Sequence, residues 1–229
     1  MEYSIRLLNS APHTEVVDGV DRTIVYLYGT TKEGEAIAVR TPLLMPYFQV
    51  VEPTKDIIKK LKKDDNVESL EEEDLWIDGE VKKCTRIITT QPNKIYKIKD
   101  WLKNNGFKPL SADIPFHYRY IYDNNLGGCI TVEGKEVNDR NFTCKLVDAT
   151  SVKPCEGFEA DFRILSFDIE NSIFERTIYC LSFCIKDSKG YIHEETLHGK
   201  ERDILKDFVS AVSKFDPDII TGYNIDGYD

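Results

Sequence analysis

Arg163-Ile164-Leu165-Ser166-Phe167-Asp168-Ile169-Glu170 is the stretch on which the reading of the second half of this 229-residue chain turns. Apolar and polar residues alternate there, the period-2 pattern of a strand with one buried face. Residues two apart share a face, so Asp168 and Glu170 project together while Phe167 and Ile169 point to the opposite side. Two carboxylates crowded on one face repel each other unless a cation lies between them. They are also hard oxygen donors, the kind that Mg²⁺ or Mn²⁺ prefers. D-x-E is a short motif, however, and describes surface carboxylates on an edge strand equally well.

The residues downstream supply context. Residues 178–186 read as a second strand, Asp187-Ser188-Lys189-Gly190 as a hairpin turn, and residues 191–197 as a third strand. Residues 200–215 predict an amphipathic helix with Ile204, Leu205, Phe208, Val209, Val212 and Phe215 on one face, ended by Pro217. A fourth strand follows at 218–223, and then the polar run Asn224-Ile225-Asp226-Gly227-Tyr228-Asp229. Three sequential strands, a helix and a further strand make the front of a ribonuclease-H-like sheet, a common platform for metal-dependent phosphodiester cleavage. A loop leaving the fourth strand beside the first would carry another carboxylate toward Asp168 and Glu170. Two ions held about 3.5–4 Å apart in such a site activate a water and stabilise the leaving oxygen.

The first half has a different rhythm. Strands are predicted at 23–29, 36–41 and 47–51, and a helix at 55–63 with Ile57, Ile58 and Leu61 on one face and lysines on the rest. That lysine face is either plain solvated surface or a contact for a DNA backbone. The acidic run at 68–74 reads as an exposed turn region with a short strand before it. Residues 84–90 read as a strand. Asn93 is the predicted cap of a helix at 94–104, which Gly106 closes and whose stripe is Ile95, Ile98, Trp101 and Leu102. A short strand follows near 108–112. From residue 47 the order is β-α-β-β-α-β, the split βαβ arrangement of ferredoxin-like and RNA-recognition-motif folds, which names no activity by itself. Polar, glycine-bearing stretches at 122–136 and 148–159 suggest a domain boundary. The fold class expected is therefore α/β (α+β), divided into residues 1–145 and 146–229.

Composition narrows the function classes. Hydrophobic content of 41% with 31% charged residues is enough for a packed core. No apolar run approaches the ~20 residues of a membrane span, and the first residues lack a leader pattern, so the chain reads as intracellular with no membrane partner. The six cysteines show no C-x-x-C spacing, which argues for free buried thiols over a zinc site or a disulfide framework. The net charge of −10 argues against holding nucleic acid by bulk basicity. From Lys153 onward nine basic residues face sixteen acidic ones. The glycine-rich phosphate loops G-x-x-x-x-G-K-[ST] and G-x-G-x-x-G are absent, and His13, His117, His193 and His198 show no paired metal spacing.

Ser166-Phe167-Asp168-Ile169-Glu170 resembles the first exonuclease motif of family B DNA polymerases. Asp216-Pro217-Asp218-Ile219-Ile220-Thr221-Gly222-Tyr223-Asn224, ending at Tyr228-Asp229, resembles the second. The resemblance implies an N-terminal part of such a polymerase, with a partial 3′→5′ proofreading exonuclease. It also implies that Asp168, Glu170 and Asp229 are the catalytic acids holding two Mg²⁺ or Mn²⁺ ions, with Asn224 and Tyr228 at the substrate's 3′ end. Single-stranded and primer-template DNA, and the remainder of the polymerase chain, are the implied partners. Two departures stand out: Asn171 occupies a position where many members have Thr, and the third exonuclease motif and the polymerase motifs do not occur in this chain. The chain alone is therefore expected to be inactive or nearly so.

A second resemblance, to the archaeal members, rests on Met45-Pro46-Tyr47, Gln91-Pro92-Asn93-Lys94-Ile95 and Asp113-Ile114-Pro115-Phe116 with Arg119-Tyr120. It implies a slot that captures template uracil, lined by Pro46, Pro92, Ile95, Ile114, Pro115 and Phe116 and supported by Arg119. Two alternatives use the same residues: a free-standing 3′→5′ exonuclease of the same carboxylate class, and a non-catalytic nucleic-acid-binding module with structural acids.

Overall fold

The computed structural model describes residues 1–223 and residue 225. They form two compact units, one of Met1–Thr31 with Ile37–Gly157, the other of Lys32–Ala36 with the chain from Phe158 onward.

The first unit opens with three strands, β1 (Glu2–Val17), β2 (Val20–Thr31) and β3 (Ala36–Arg40). Asp18 and Gly19, both at positive φ, make the two-residue turn whose twist matches the flanking strands. There follow β4 (Tyr47–Val51), α1 (Lys55–Leu61), β5 (Val67–Ile77), β6 (Glu80–Thr89), α2 (Pro92–Asn104), β7 (Pro109–Leu110) and α3 (Phe116–Asp123). The unit ends with β8 (Cys129–Val137) and β9 (Lys145–Pro154). A barrel closes in the order β1-β2-β3-β9-β8, with β3 and β9 parallel and Val39 opposite Val147. Five strands in this order form a Greek-key barrel of the OB-fold kind. Ile5, Leu27, Val39, Ile130 and Val147 fill it, and α3 adds Phe116 and Tyr120 to the same core. Gly29 is required beside the β1 bulge, because a Cβ there would collide with the Arg6 carbonyl oxygen.

The elements from β4 to β7 form a second sheet in the order β5-β6-β4-β7, every neighbouring pair antiparallel. This is the arrangement that the β-α-β-β-α-β order predicts. α1 and α2 pack Ile57, Leu61, Ile98 and Leu102 against Phe48, Val50 and Ile87.

Several expectations need correcting here. The barrel and its 16-residue first strand were not anticipated from the sequence. The acidic run at 68–74 is the middle of β5, not a turn, because Arg86 on β6 ion-pairs across the strands with Glu73 at 2.6 Å and Glu71 at 3.6 Å. The α2 cap is Gln91 with Pro92 in the first turn, so Asn93 lies inside the helix. The 122–136 stretch holds the end of α3 and most of β8. The division expected at 145/146 falls at the start of β9, whose pairing in the barrel carries the first unit to Gly157.

The second unit contains β10 (Arg163–Asn171), β11 (Ile178–Asp187), β12 (Ile192–His198), α4 (Glu201–Phe215) and β13 (Ile219–Thr221). Its sheet runs β12-β11-β10-β13, with β13 parallel to β10 and the other pairs antiparallel. Asp187 forms the predicted hairpin turn, its carboxylate accepting from the N–H groups of Lys189 and Tyr191, both at 2.9 Å. No helix among the described residues is long and apolar enough to cross a membrane. All six cysteines are free thiols; Cys84 and Cys129 are buried and the other four half-buried.

Candidate functional site

The alternation along β10 produces the two-sided strand that the sequence predicts. Leu165 is fully buried, and Phe167 and Ile169 pack in the same cluster against α4. The Phe167 and Phe208 rings lie 5.2 Å apart. Ser166, Asp168 and Glu170 occupy the other, exposed face. Across the sheet Asp168 sits opposite Ser182, and Ser182 opposite Thr196. The hydroxyls of Ser182 and Thr196 are 3.0 Å apart. Ser166, Asp168, Ser182, Cys184, Thr196 and Thr221 line an open cleft of about 540 Å³ on this face. Glu170 lies beyond its edge.

Asp168 and Glu170 are exposed, and neither makes an ion pair or a side-chain hydrogen bond among the described residues. Two like charges left uncompensated on one strand face attract a cation. Their donor chemistry suits a hard divalent ion, though two carboxylates make an incomplete set. No group of three or more His, Cys, Asp or Glu residues able to hold a metal occurs among the described residues.

β13 sets where the chain goes next. Its parallel register places Thr221 opposite Ser166, so Gly222 and Tyr223 follow alongside Phe167 and Asp168. The approach is close: a Cβ on Gly222 would sit 2.6 Å from the Phe167 carbonyl oxygen. Tyr223 is 90% exposed and lines the cleft. Asn224, Tyr228 and Asp229 lie outside the described residues.

The second-motif acids Asp216 and Asp218 have a structural part that the sequence did not disclose. Asp218 accepts from the Arg163 backbone N–H at 2.7 Å. Arg163 in turn donates to the Phe215 carbonyl at 2.7 Å, and Asp216 ends α4 in the left-handed conformation. Together these bonds tie the end of α4 to the start of β10.

In the first unit, Pro92, Ile95, Ile114, Pro115, Phe116 and Arg119 line one cavity, together with Tyr47 and Tyr96. Pro46 is not part of its lining; the Pro46 carbonyl instead accepts from the Thr89 N–H at 2.8 Å. The cavity measures about 30 Å³, room for one or two waters but not for a base. Arg119 is buried, donates to the Ser111 carbonyl at 2.7 Å and lies 4.3 Å from the Tyr47 ring centroid. Arg86 stands 4.6 Å from the same ring. The Tyr47 hydroxyl donates to the Asp123 carboxylate at 2.9–3.0 Å. Burial, and then the Asp123 hydrogen bond, push the Tyr47 phenol above its ordinary pKa, with Arg119 opposing. Tyr47 was missed as a lining residue, although it directly follows Pro46.

Comparison with known proteins agrees with this architecture. The family described as DNA polymerase family B, exonuclease domain, matches residues 174–229, so Asp168 and Glu170 lie just ahead of the matched stretch. A DNA polymerase of Archaeoglobus fulgidus is 31% identical over 198 residues, which is 80% of this chain and 24% of that protein. A DNA polymerase delta catalytic subunit of Dictyostelium discoideum is 24% identical, over 90% of this chain and 25% of that one. Among solved structures, the family B DNA polymerase of Pyrobaculum calidifontis superposes with a TM-score of 0.79 at 24% identity, covering 99% of this chain and 31% of that one. The chain thus spans about a quarter of the length of the curated relatives it matches. Residues 174–229 thus match the exonuclease domain of family B DNA polymerases, and the chain as a whole is similar to part of those enzymes.

Proposed function

We propose that this chain supplies the template-side and proofreading portion of a DNA-directed DNA polymerase. The first unit meets template DNA, and the second takes part in 3′→5′ removal of mismatched nucleotides. The protein acts inside the cell on single-stranded and primer-template DNA, together with the remainder of the polymerase chain.

The observation that carries this reading is the pair Asp168 and Glu170, exposed on one face of β10 and unpaired among the described residues. β13 runs parallel beside them, in a chain whose relatives are DNA polymerases. Asp168, Glu170 and Asp229 would hold two Mg²⁺ or Mn²⁺ ions. Such ions, when bound, activate a water and neutralise charge on the scissile phosphate. The chain's own residues supply the rest. Phe167 and Ile169, packed on α4, keep the carboxylates on a rigid strand. The open cleft beside Asp168 would admit the 3′-terminal nucleotide, with Asn224 and Tyr228 as the residues proposed to contact it. The relatives, more than three times as long as this chain, favour a polymerase over a free-standing exonuclease.

Mn²⁺ titration by electron paramagnetic resonance tests the metal role. The wild-type chain should bind Mn²⁺, and Asp168→Ala should remove that binding. Equal binding by both would make the acids structural and favour a binding module. On single-stranded DNA with Mg²⁺, the 229-residue chain should degrade little, because the third exonuclease motif does not occur in it; rapid degradation would contradict that expectation.

A second reading concerns the first unit. Six of the seven residues expected to form a uracil slot share one cavity, and we assign them that role. The cavity opens to admit a base. Uracil-containing single strands should then bind more tightly than thymine controls in a fluorescence titration, and equal affinity would remove the assignment.

A further inference from the structure

Residues 55–65 and 92–104 hold α1, the turn after it, and α2, and they contain nine lysines and four aspartates. A chain of net charge −10 therefore gathers a surplus of five positive charges on its two-helix layer. Between the helices lies a cleft of about 320 Å³, with Leu61 and Ile98 at its base and Lys60, Lys63, Lys97 and Trp101 around it. The three lysines are exposed, and none ion-pairs with a carboxylate among the described residues. Asp64, which also lines the cleft, is already engaged by the Asn66 backbone N–H at 2.9 Å and the Asn66 side-chain amide at 2.6 Å.

Two aromatic rings are set among these charges. The Lys60 ammonium is 6.0 Å from the Trp101 ring centroid, and the Lys99 ammonium 4.9 Å from that of Tyr96. Tyr96 is 59% exposed. It also lines the small cavity described above, so one helix borders both features.

Three uncompensated ammonium groups around one cleft favour a polyanion. An acidic peptide would use the lysines and leave the ring faces idle. A single nucleic-acid strand uses both, because its phosphates meet the cations while its bases stack on aromatic faces. We propose that the cleft between α1 and α2 binds the phosphate backbone of single-stranded DNA, with bases stacked against Trp101, which lines the cleft, and beyond it against Tyr96, which borders the neighbouring cavity. Only the choice of DNA as the polyanion rests on the polymerase reading; the charge surplus, the cleft and the rings stand apart from it.

Trp76→Phe leaves Trp101 as the only tryptophan of the 229-residue chain, so its fluorescence reports on this cleft. Titration of that variant with oligothymidylate should quench Trp101 saturably. The slope of log affinity against log salt should be about −2, from about 0.7 for each of three phosphate contacts. Adding Lys60→Gln, Lys63→Gln and Lys97→Gln together should lower affinity at least tenfold and flatten that slope, with the circular dichroism and Tm unchanged. The titrations are run in EDTA, without divalent metal, which keeps this test separate from the metal reading. Absence of Trp101 quenching, full affinity in the triple variant, or tighter binding of a polyglutamate peptide of equal charge would overturn the proposal.

Discussion

The two candidate sites differ in how far their polar groups are satisfied. On the β10 face, Asp168 and Glu170 are exposed and have no partner among the described residues, beside an open cleft of about 540 Å³. Around Tyr47, two arginines flank one ring, the phenol is bonded to Asp123, and the cavity is only about 30 Å³. Among the described residues the first site has no counter-charge, so an ion can complete it without disturbing any bond they make. The second is already packed, so a ligand entering it must displace protein contacts. Removing a residue should therefore cost stability in the second site and cost ligand binding in the first.

The comparison sharpens most at Phe116, which fills the barrel core and also borders the small cavity. Phe116→Ala should lower stability by about 3–5 kcal/mol, measured by chemical denaturation followed by circular dichroism. A loss below about 1 kcal/mol would mean that the pocket is far looser than its volume suggests. Gly222→Ala comes next. Its Cβ meets the Phe167 carbonyl, so β13 must shift away from β10, at a cost of about 1–3 kcal/mol. Hydrogen exchange should then be faster at the β10 amides, and unchanged exchange would place the strain elsewhere.

Tyr47→Phe deletes the hydrogen bond to Asp123 but keeps the ring between the two arginines. A loss of about 1 kcal/mol in the thermal midpoint analysis is expected. The smallest effect on stability should come from the double variant Asp168→Asn with Glu170→Gln, within about 0.5 kcal/mol of wild type in the absence of metal. If Mn²⁺ raises the Tm of wild type and not of this variant, the contrast between the two sites holds. Equal Tm shifts in both proteins would erase it.

Legibility followed the range of the interactions that stabilise each element. β10 was readable because its pattern is local: Leu165, Phe167 and Ile169 alternate with Ser166, Asp168 and Glu170. α4 was readable for the same reason, with Pro217 marking its end, but its stripe is narrower than expected: Ile204, Phe208, Val212 and Phe215 pack on the sheet, whereas Leu205 and Val209 are exposed. The run Glu71-Glu72-Glu73-Asp74 was not, because what makes it a strand is Arg86 on the neighbouring strand. The barrel was invisible because its closing contact, β3 on β9, joins Val39 to Val147 across more than a hundred residues.

The sequence by itself determined that Asp168 and Glu170 share an exposed face above a packed one, since a strand's two-residue period allows nothing else. It also determined the β-α-β-β-α-β order, whereas the set of residues around Arg119 came from a resemblance and not from any local pattern. Only the tertiary structure decided that Tyr47 and not Pro46 lines the cavity, that Arg163 ties Asp216 and Asp218 into the frame of the sheet, and that the lysines of two separate helices face one cleft. Those outcomes depend on pairings between segments distant in sequence, and no local pattern encodes which partner a side chain will meet.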